Sequence, residues 1–343
     1  MRRALQLAER GPRTGGNPRV GCVLLDQQGA TIAEGWHRGA GTPHAEIDAL
    51  AQLAPGQASG ATAVVSLEPC NHTGRTGPCS HALVDAGITR VVYALPDPGQ
   101  ASAHGAEHLA AHGVEIISGV LADEAEALNH EWLTAMRRQR PWVIAKLAMS
   151  LDGRGAAADG SSQWITSAAA REHAHVVRSQ VDAILVGRGT VAADDPALTA
   201  RRPDGSLFAH QPLPVVLGRG GDLPADSQLV RCHSTVRSFD IDVSAHTATE
   251  PLREQLTSML TQLFDEDVRF VLVEGGPTTT TALLRAGLVD EVQAYLAPQL
   301  IGGPRTLIGD IDVTTLAQRL ELDSLEVAQL GCDMFWRTRV KEA

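Results

Sequence analysis

His44-Ala45-Glu46, answered by Glu68-Pro69-Cys70 and then by Cys79, is the stretch around which the first half of this 343-residue chain is organised. His, Cys and Cys are three good ligands for a tetrahedral zinc, and a zinc that does chemistry keeps its fourth position open for water. Glu46 lies two residues from His44, so it can sit beside that water without binding the metal. Eight residues, 71–78, separate the two cysteines. A His-x-Glu string alone is common, and two cysteines could be a buried pair. The setting favours the metal. Thr62 to Leu67 reads as a buried strand with Glu68-Pro69-Cys70 at its end. Cys79 opens an apolar-periodic stretch to Ala86 that reads as a helix stopped by Gly87, and His44 opens another, to about Leu53, before Pro55-Gly56. Two ligands therefore fall at helix starts, whose positive ends are expected to favour thiolate over thiol.

Outward from this core the pattern alternates. Arg2 to Arg10 reads as a helix, Val20 to Leu25 and Thr31 to Glu34 as paired strands, and Arg90 to Leu95 as the strand after the second metal helix. A helix near Ala103 to Ala111, a strand Val114 to Ile117 and a helix from Ala122 to about Arg137 follow. Arg137 to Pro141 is a short basic connector, read as a solvated helix end. The pattern then restarts with the apolar strand Trp142 to Met149, which carries Lys146. A helix from Ser167 or Ala168 to Gln180, a strand Ala183 to Val186, a strand Pro214 to Leu217, a helix Leu252 to Phe264 and a strand Arg269 to Val273 come next. A helix Thr278 to Ala286 and strands Glu291 to Ala297, Leu320 to Ala328 and Met334 to Val340 complete the chain, while 219–249 is poorly patterned. Strands alternating with helices predict α/β sheets with parallel members. The length suits about two domains, expected at 1–140 and 141–343.

Strand, then Gly275-Gly276-Pro277, then helix is a phosphate-binding shape: the glycines admit a phosphate and the free amides at the helix start bind its charge. Thr278 adds a hydroxyl. The string lacks the spacing of the dinucleotide fingerprint, and Gly-Gly turns before helices are common. Gly187-Arg188-Gly189-Thr190 ends another strand, and two such turns in one sheet would suit a dinucleotide.

The net charge is −11 with no basic tract, which argues against a nucleic-acid partner. The five cysteines are odd in number and widely spaced, so they form no disulfide framework; Cys22 reads as a core residue, and Cys232 and Cys332 have no partner motif. No apolar run reaches membrane-spanning length and no secretory signal precedes the first helix, so a cytoplasmic protein is expected.

A His/Cys/Cys site, a nearby Glu as proton shuttle and a water that attacks an amine-bearing ring carbon are the parts of the zinc nucleobase deaminases. The chain resembles the RibD/RibG family of bifunctional riboflavin-biosynthesis enzymes over nearly its whole length. In the first half the resemblance rests on Asn17 to Cys22 (NPRVGC), Ala40 to Glu46 (AGTPHAE) and Leu67 to Cys79 (LEPCNHTGRTGPC). In the second half it rests on Lys146 to Arg154 (KLAMSLDGR), Ser162 to Ser167 (SQWITS), Gly189 to Arg201 (GTVAADDPALTAR) and Val273 to Pro277 (VEGGP). The resemblance implies a cytidine-deaminase-like domain followed by a dihydrofolate-reductase-like domain. It implies a phosphorylated 2,5-diamino-pyrimidinone riboside as substrate, zinc and NADPH as cofactors, and a homo-oligomer. It makes His44, Cys70 and Cys79 the metal ligands and Glu46 the proton carrier. Asn17 becomes a candidate for the ring's polar edge, and His72 and Arg75 become candidates for the substrate phosphate. His72 could also be a fourth ligand or a surface histidine.

In the second half the resemblance places NADPH along Ala148, Trp164, Thr190, Asp194 and the turn of Gly276, Pro277 and Thr278. It places the substrate near Ser162, Arg178, Leu198, Arg201 and Glu274. A sugar phosphate needs fixed cations, which Arg178 and Arg201 could supply; the alternative for Arg178 is an exposed helix face. Of Lys146, Asp194 and Glu274, one is expected to polarise or protonate the sugar oxygen during reduction. Two departures from the family pattern stand out. Gly218-Arg219 replaces an Asp-led turn that helps hold the adenosine end of the cofactor, and Thr76-Gly77-Pro78-Cys79 replaces Thr-Pro-Pro-Cys. The rival readings are a zinc deaminase of another base or nucleoside whose second half only binds, and an idle protein with a structural zinc.

Overall fold

Short runs rich in Val, Ile and Leu alternate along the chain with alanine-rich amphipathic stretches, and each adopts the element its period favours. The computed structural model describes every residue except 73–76, 100–101, 221–222, 245–249 and 342–343. Two units result, Met1–Gln139 and Arg140–Ala343.

The first unit runs α1 (Arg2–Ala8), β1 (Gly21–Leu25), β2 (Thr31–Trp36), α2 (Ala45–Leu50), β3 (Thr62–Leu67), α3 (Cys79–Asp85), β4 (Arg90–Leu95), α4 (Gly105–Ala111), β5 (Glu115–Ile117) and α5 (Ala122–Arg138). Its sheet has the order β2-β1-β3-β4-β5. β1 is antiparallel to β2 and β3, whereas β3, β4 and β5 are parallel. Side chains alternate across the sheet as the two-residue period requires. Cys22, Leu24, Ala63 and Val65 pack under α2 and α3 with Ala45, Ala49 and Leu83, while Val23 and Val64 face Ala4 and Leu7 of α1.

Two glycines set how closely the layers meet. A β-carbon at Gly35 would collide with the Ala45 carbonyl and lie 2.5 Å from the Ala49 nitrogen, so α2 rests on the bare backbone of β2. A β-carbon at Gly105 would collide with the Pro69 carbonyl, so α4 begins against the turn that carries Cys70. Glu68 clasps the same turn: its carboxylate accepts the Asp97 amide at 3.1 Å and the Ala106 amide at 2.9 Å.

The second unit runs β6 (Trp142–Ser150), α6 (Ala168–Arg178), β7 (Ala183–Gly187), α7 (Arg188–Asp194), β8 (Leu213–Leu217), α8 (Gln228–Cys232), β9 (Arg237–Phe239), α9 (Glu250–Asp265), β10 (Phe270–Val273), α10 (Pro277–Arg285), β11 (Glu291–Ala297), β12 (Leu322–Leu330) and β13 (Asp333–Val340), with a 3-10 turn at Leu316–Gln318. The sheet order is β12-β13-β11-β6-β10-β7-β8-β9. β11 through β9 are parallel, and β13 and β12 add an antiparallel edge. The central strands are buried on both faces, which is why they read as unbroken apolar runs. Leu252, Leu256, Leu260 and Leu263 of α9 cover Val143, Leu185 and Val271 together with Leu283 of α10.

Three expectations change. Gly187-Arg188-Gly189-Thr190 is not an open turn: the chain enters α7 directly after Gly187. The unpatterned stretch contains α8 and β9, of five and three residues, too short to show a period. Arg140 is not a solvated helix end; its guanidinium makes a two-pronged bond, 2.7 Å on each prong, with the buried Asp290 carboxylate. Among the described residues no helix is long and apolar enough to cross a membrane.

Because α2 carries the candidate ligand His44 at its start, Gly35→Ala is expected to lower stability by about 1–3 kcal/mol and to weaken metal retention. Chemical denaturation and metal analysis check this; an unchanged midpoint would mean that α2 can slide on β2 without penalty.

Candidate functional site

In the first unit three ligand atoms from three elements converge. His44 caps the start of α2 in an extended conformation, Cys70 follows β3, and Cys79 is the first residue of α3. His44 Nδ1 lies 3.4 Å from Cys70 Sγ and 3.3 Å from Cys79 Sγ, and all three atoms lie within 4.8 Å of one another. Nitrogen and sulfur ligands around one tetrahedral zinc sit roughly 3.5 Å apart, given bonds of about 2.0–2.3 Å. The distances therefore fit.

The charges fit as well. The Cys79 thiol, the His44 imidazole and the Cys79 amide, which donates to Cys70 Sγ at 3.4 Å, hold the Cys70 thiol down at about 4 against its burial. Cys70 in turn pushes Cys79 well up, helped by burial and Glu46. The amide at the start of α3 thus supports a thiolate at Cys70. Two sulfurs that oppose each other's ionisation form a site short of positive charge at its centre. A divalent cation supplies it.

Glu46, 3% exposed in the first turn of α2, is pushed up to about 7, first by burial and then by the Cys70 charge. Asn17 Nδ2 lies 2.9 Å from His37 Nε2, and His37 Nδ1 lies 3.1 Å from the Pro43 carbonyl, next to His44. The His37 ring meets that of His44 edge-on at 5.4 Å. Sequence reading missed His37, a lone histidine outside every motif. The ligand cluster found among the described residues does not include His72. The buried Nδ1 of His72 has no hydrogen-bond partner among them. Arg75 lies outside the described residues.

In the second unit a cleft of about 1130 Å³ follows the C-terminal ends of β6, β7, β8 and β10. Lys146, Ala148, Ser162, Trp164, Arg178, Thr190, Asp194, Arg201, Glu274, Gly276, Pro277 and Thr278 all line it. Leu198, 3% exposed, is not among the lining residues. Glu274 anchors one end. It accepts from Arg178 Nε at 2.6 Å and Nη2 at 2.8 Å, with Lys146 Nζ at 3.6 Å, while Arg178 Nη1 donates to the Thr199 carbonyl at 3.1 Å. Burial opposes its charge, but Arg178 and Lys146 outweigh burial and hold the carboxyl at about 2. His175, also missed from sequence, is lowered to about 4 by burial and by the Arg178 and Arg201 charges.

At the middle of the cleft the glycine turn before α10 is tied to α7, because the Gly276 amide donates to Thr190 Oγ1 at 3.1 Å. Gly275 and Gly187 are small because Thr279 packs against them: β-carbons there would lie 2.8 Å from Thr279 Cβ and 2.5 Å from Thr279 Oγ1. Gly276 starts the nine-residue α10 with no side-chain cap and with Pro277 in the first turn, so first-turn amides remain for an anion. At the far end Arg188 Nε donates to the Gly218 carbonyl at 3.4 Å and Arg219 lies 3.5 Å from Asp242. Length, uncapped amides and cations at both ends fit an extended dinucleotide beside a phosphorylated substrate.

Replacing Glu274 by Gln leaves Arg178 and Lys146 facing each other without a counter-charge, so a loss of about 3–5 kcal/mol is expected in urea unfolding. The depressed carboxyl also has a pH signature. Its stabilisation is complete above the ordinary carboxylate range near 4.5 and is lost as pH falls toward about 2. The variant is expected to show a shallower acid limb over that window; a variant as stable as the parent would refute the buried pair.

The RibD C-terminal domain family matches residues 141–336, and the cytidine and deoxycytidylate deaminase zinc-binding region matches residues 1–95. The riboflavin biosynthesis protein RibD of Mycobacterium tuberculosis is 44% identical over 318 residues, covering 92% of this chain and 89% of that protein. Acinetobacter baumannii RibD superposes with a TM-score of 0.86 at 37% identity, covering 99% of this chain and 97% of that one. The Thermotoga maritima diaminohydroxyphosphoribosylaminopyrimidine deaminase/5-amino-6-(5-phosphoribosylamino)uracil reductase superposes with a TM-score of 0.81 at 32% identity, covering 99% and 97%. A deaminase region and a RibD reductase region in tandem, matched along almost the entire length of such relatives, leave one assignment: the chain belongs to the RibD family of riboflavin biosynthesis proteins.

Proposed function

We propose that this chain carries out two successive steps of riboflavin biosynthesis. Residues 1–140 hydrolytically deaminate 2,5-diamino-6-ribosylamino-4(3H)-pyrimidinone 5′-phosphate. Residues 141–343 then reduce the ribosyl side chain to ribityl with NADPH, giving 5-amino-6-ribitylamino-uracil 5′-phosphate. The observation that carries the first reaction is the meeting of His44, Cys70 and Cys79 beside a buried Glu46.

A zinc held by His44, Cys70 and Cys79 would lower the pKa of a bound water to about 7. Glu46 takes the proton from the attacking water and delivers it to the departing ammonia. Asn17 holds the polar edge of the ring. His72 and Arg75, which fall between the two cysteines in the sequence, take the phosphate. In the second unit the bound nicotinamide supplies hydride. Glu274 is held ionised and so cannot donate a proton near neutral pH. The Lys146 ammonium, 3.6 Å from Glu274 and facing the cleft, is the donor to the sugar oxygen. Glu274 and Arg178 hold it in place. Arg201 faces the cleft as a cation for the substrate phosphate. Arg188 and Arg219 favour the 2′-phosphate of NADPH over the bare ribose of NADH. Arg219 stands, with Gly218, where other members of the family place an Asp-led turn. Buried free thiols at 70 and 79 suit the reducing cytoplasm.

The chain also self-associates in this reading. β12 is an edge strand exposed along most of its length, and Leu322, Leu325 and Val327 lie on it beside the exposed Met334 and Trp336 of β13. Such an apolar edge calls for a cover, and a second copy provides one. Val327→Asp with Trp336→Glu is expected to lower the mass in analytical ultracentrifugation; an unaltered oligomer, or a monomeric parent, would remove this part.

Purified protein is expected to hold about one zinc per chain, to release ammonia from the diamino substrate, and to lose the metal in Cys79→Ser. Glu46→Gln is expected to slow deamination by at least ~10²-fold with zinc retained, while still oxidising NADPH when given deaminated substrate. Lys146→Met is expected to do the reverse. Loss of both activities in a folded Glu46→Gln protein would defeat the two-site reading.

A further inference from the structure

Outside residues 1–95, which the deaminase region spans, α5 makes an unusual set of contacts back onto the loop that carries Asn17. Asn129 leaves helical geometry in the middle of α5, at φ −112° and ψ 18°. Its side chain reads both polar groups of one residue: Oδ1 accepts the Arg19 amide at 3.0 Å and Nδ2 donates to the Arg19 carbonyl at 2.9 Å. One turn on, Trp132 Nε1 donates to the Gly16 carbonyl at 2.9 Å. Between them Glu131 meets the Arg13 guanidinium at 3.3 Å, and Arg19 donates back to the Leu128 carbonyl. Asn129, Glu131 and Trp132 are all buried. Polar side chains buried on a helix normally serve their own helix or the core; these are turned to a loop more than a hundred residues earlier.

What the clamp fixes is Asn17, which sits between the Gly16 and Arg19 contacts. The Pro43 carbonyl only accepts, so His37 Nδ1 carries the hydrogen in that bond. The Asn17 amide presents its Nδ2 to the other ring nitrogen, Nε2, at 2.9 Å. With Nδ2 so directed, Oδ1 of the same amide points the other way and can accept. An acceptor on the residue that bonds His37, whose ring in turn meets that of His44, matches a ring amine or ring N–H, the groups that a 2-amino-pyrimidinone presents.

We propose that Asn129 and Trp132 are positioning residues for the deamination reaction, acting through the backbone of 16–19 to hold the Asn17 acceptor toward the ring edge of the substrate. The inference rests on the deaminase reading above. It gives α5 a part in substrate recognition without contact to the substrate.

Deamination kinetics of the full-length zinc-loaded chain test it, with the diamino-pyrimidinone riboside phosphate as probe. Asn129→Ala and Trp132→Phe are each expected to raise KM about ten-fold, the scale of one lost hydrogen bond, with kcat within about two-fold. Zinc content and NADPH oxidation on deaminated substrate are expected to stay at parental levels. Asn17→Ala should raise KM alone, and adding Asn129→Ala to it should change KM by less than about two-fold, because both act through one contact. Full multiplication of the two effects, an unmoved KM in both clamp variants, or zinc loss in both overturns the proposal. Absence of ammonia release from the unmutated chain would instead overturn the deaminase reading beneath it.

Discussion

A helix begins with backbone amides that have no partner inside it, and a parallel sheet gathers such beginnings at the edge where its strands end. Both chemistries of this chain sit on such an edge. In the first unit β3 ends toward Cys70, and the first amide of α3 faces that sulfur. In the second unit β10 ends at Val273, and α10 begins at Pro277 without a side-chain cap. Register does the rest. Val273 pairs with Ala145 in the parallel ladder, so the next residue on each strand, Glu274 and Lys146, emerges side by side at the mouth of the cleft. No loop has to bring them together.

Burial treats the two central glutamates in opposite ways. Glu46 is enclosed near a thiolate, so its proton is held up to the neutral range. Glu274 is enclosed as deeply but between Arg178 and Lys146, so it never regains a proton under ordinary conditions. One environment makes a carboxyl that can pass a proton; the other makes a fixed negative post. The contrast comes from the neighbours of each carboxyl and not from its depth.

Much of this was legible in the sequence, and the reason is locality. β3, β4 and β11 lie where the apolar runs place them, because each run is bounded by its own turn residues. The ligand triad could be read because two of its members open helices. What stayed hidden depends on distant partners. Arg178 reads as a cation for the substrate phosphate, and nothing in its own helix shows that Glu274, 96 positions later, takes its guanidinium. Arg140 reads as part of a basic run until Asp290, 150 positions later, buries it. His37 and His175 carry no spacing signal, since the carbonyl, amide and arginines that define them come from other elements. The glycines before α10 invite a phosphate reading, yet Gly187 and Gly275 are also small because Thr279 occupies the space.

Arg140 has one more consequence, for anyone who would express the halves as separate polypeptides. α5 closes at Gln139 in a left-handed conformation, and the next residue already belongs to the second sheet through Asp290, whose carboxylate also takes the Val143 amide. The seam between the units is therefore a single peptide bond wide. A reductase fragment begun at Trp142, the visible start of its first strand, would discard the arginine and strand a buried acid against the edge of β6. A fragment begun at or before Arg140 keeps its own counter-ion. In this chain the place to cut is set by a charge, not by the end of a helix.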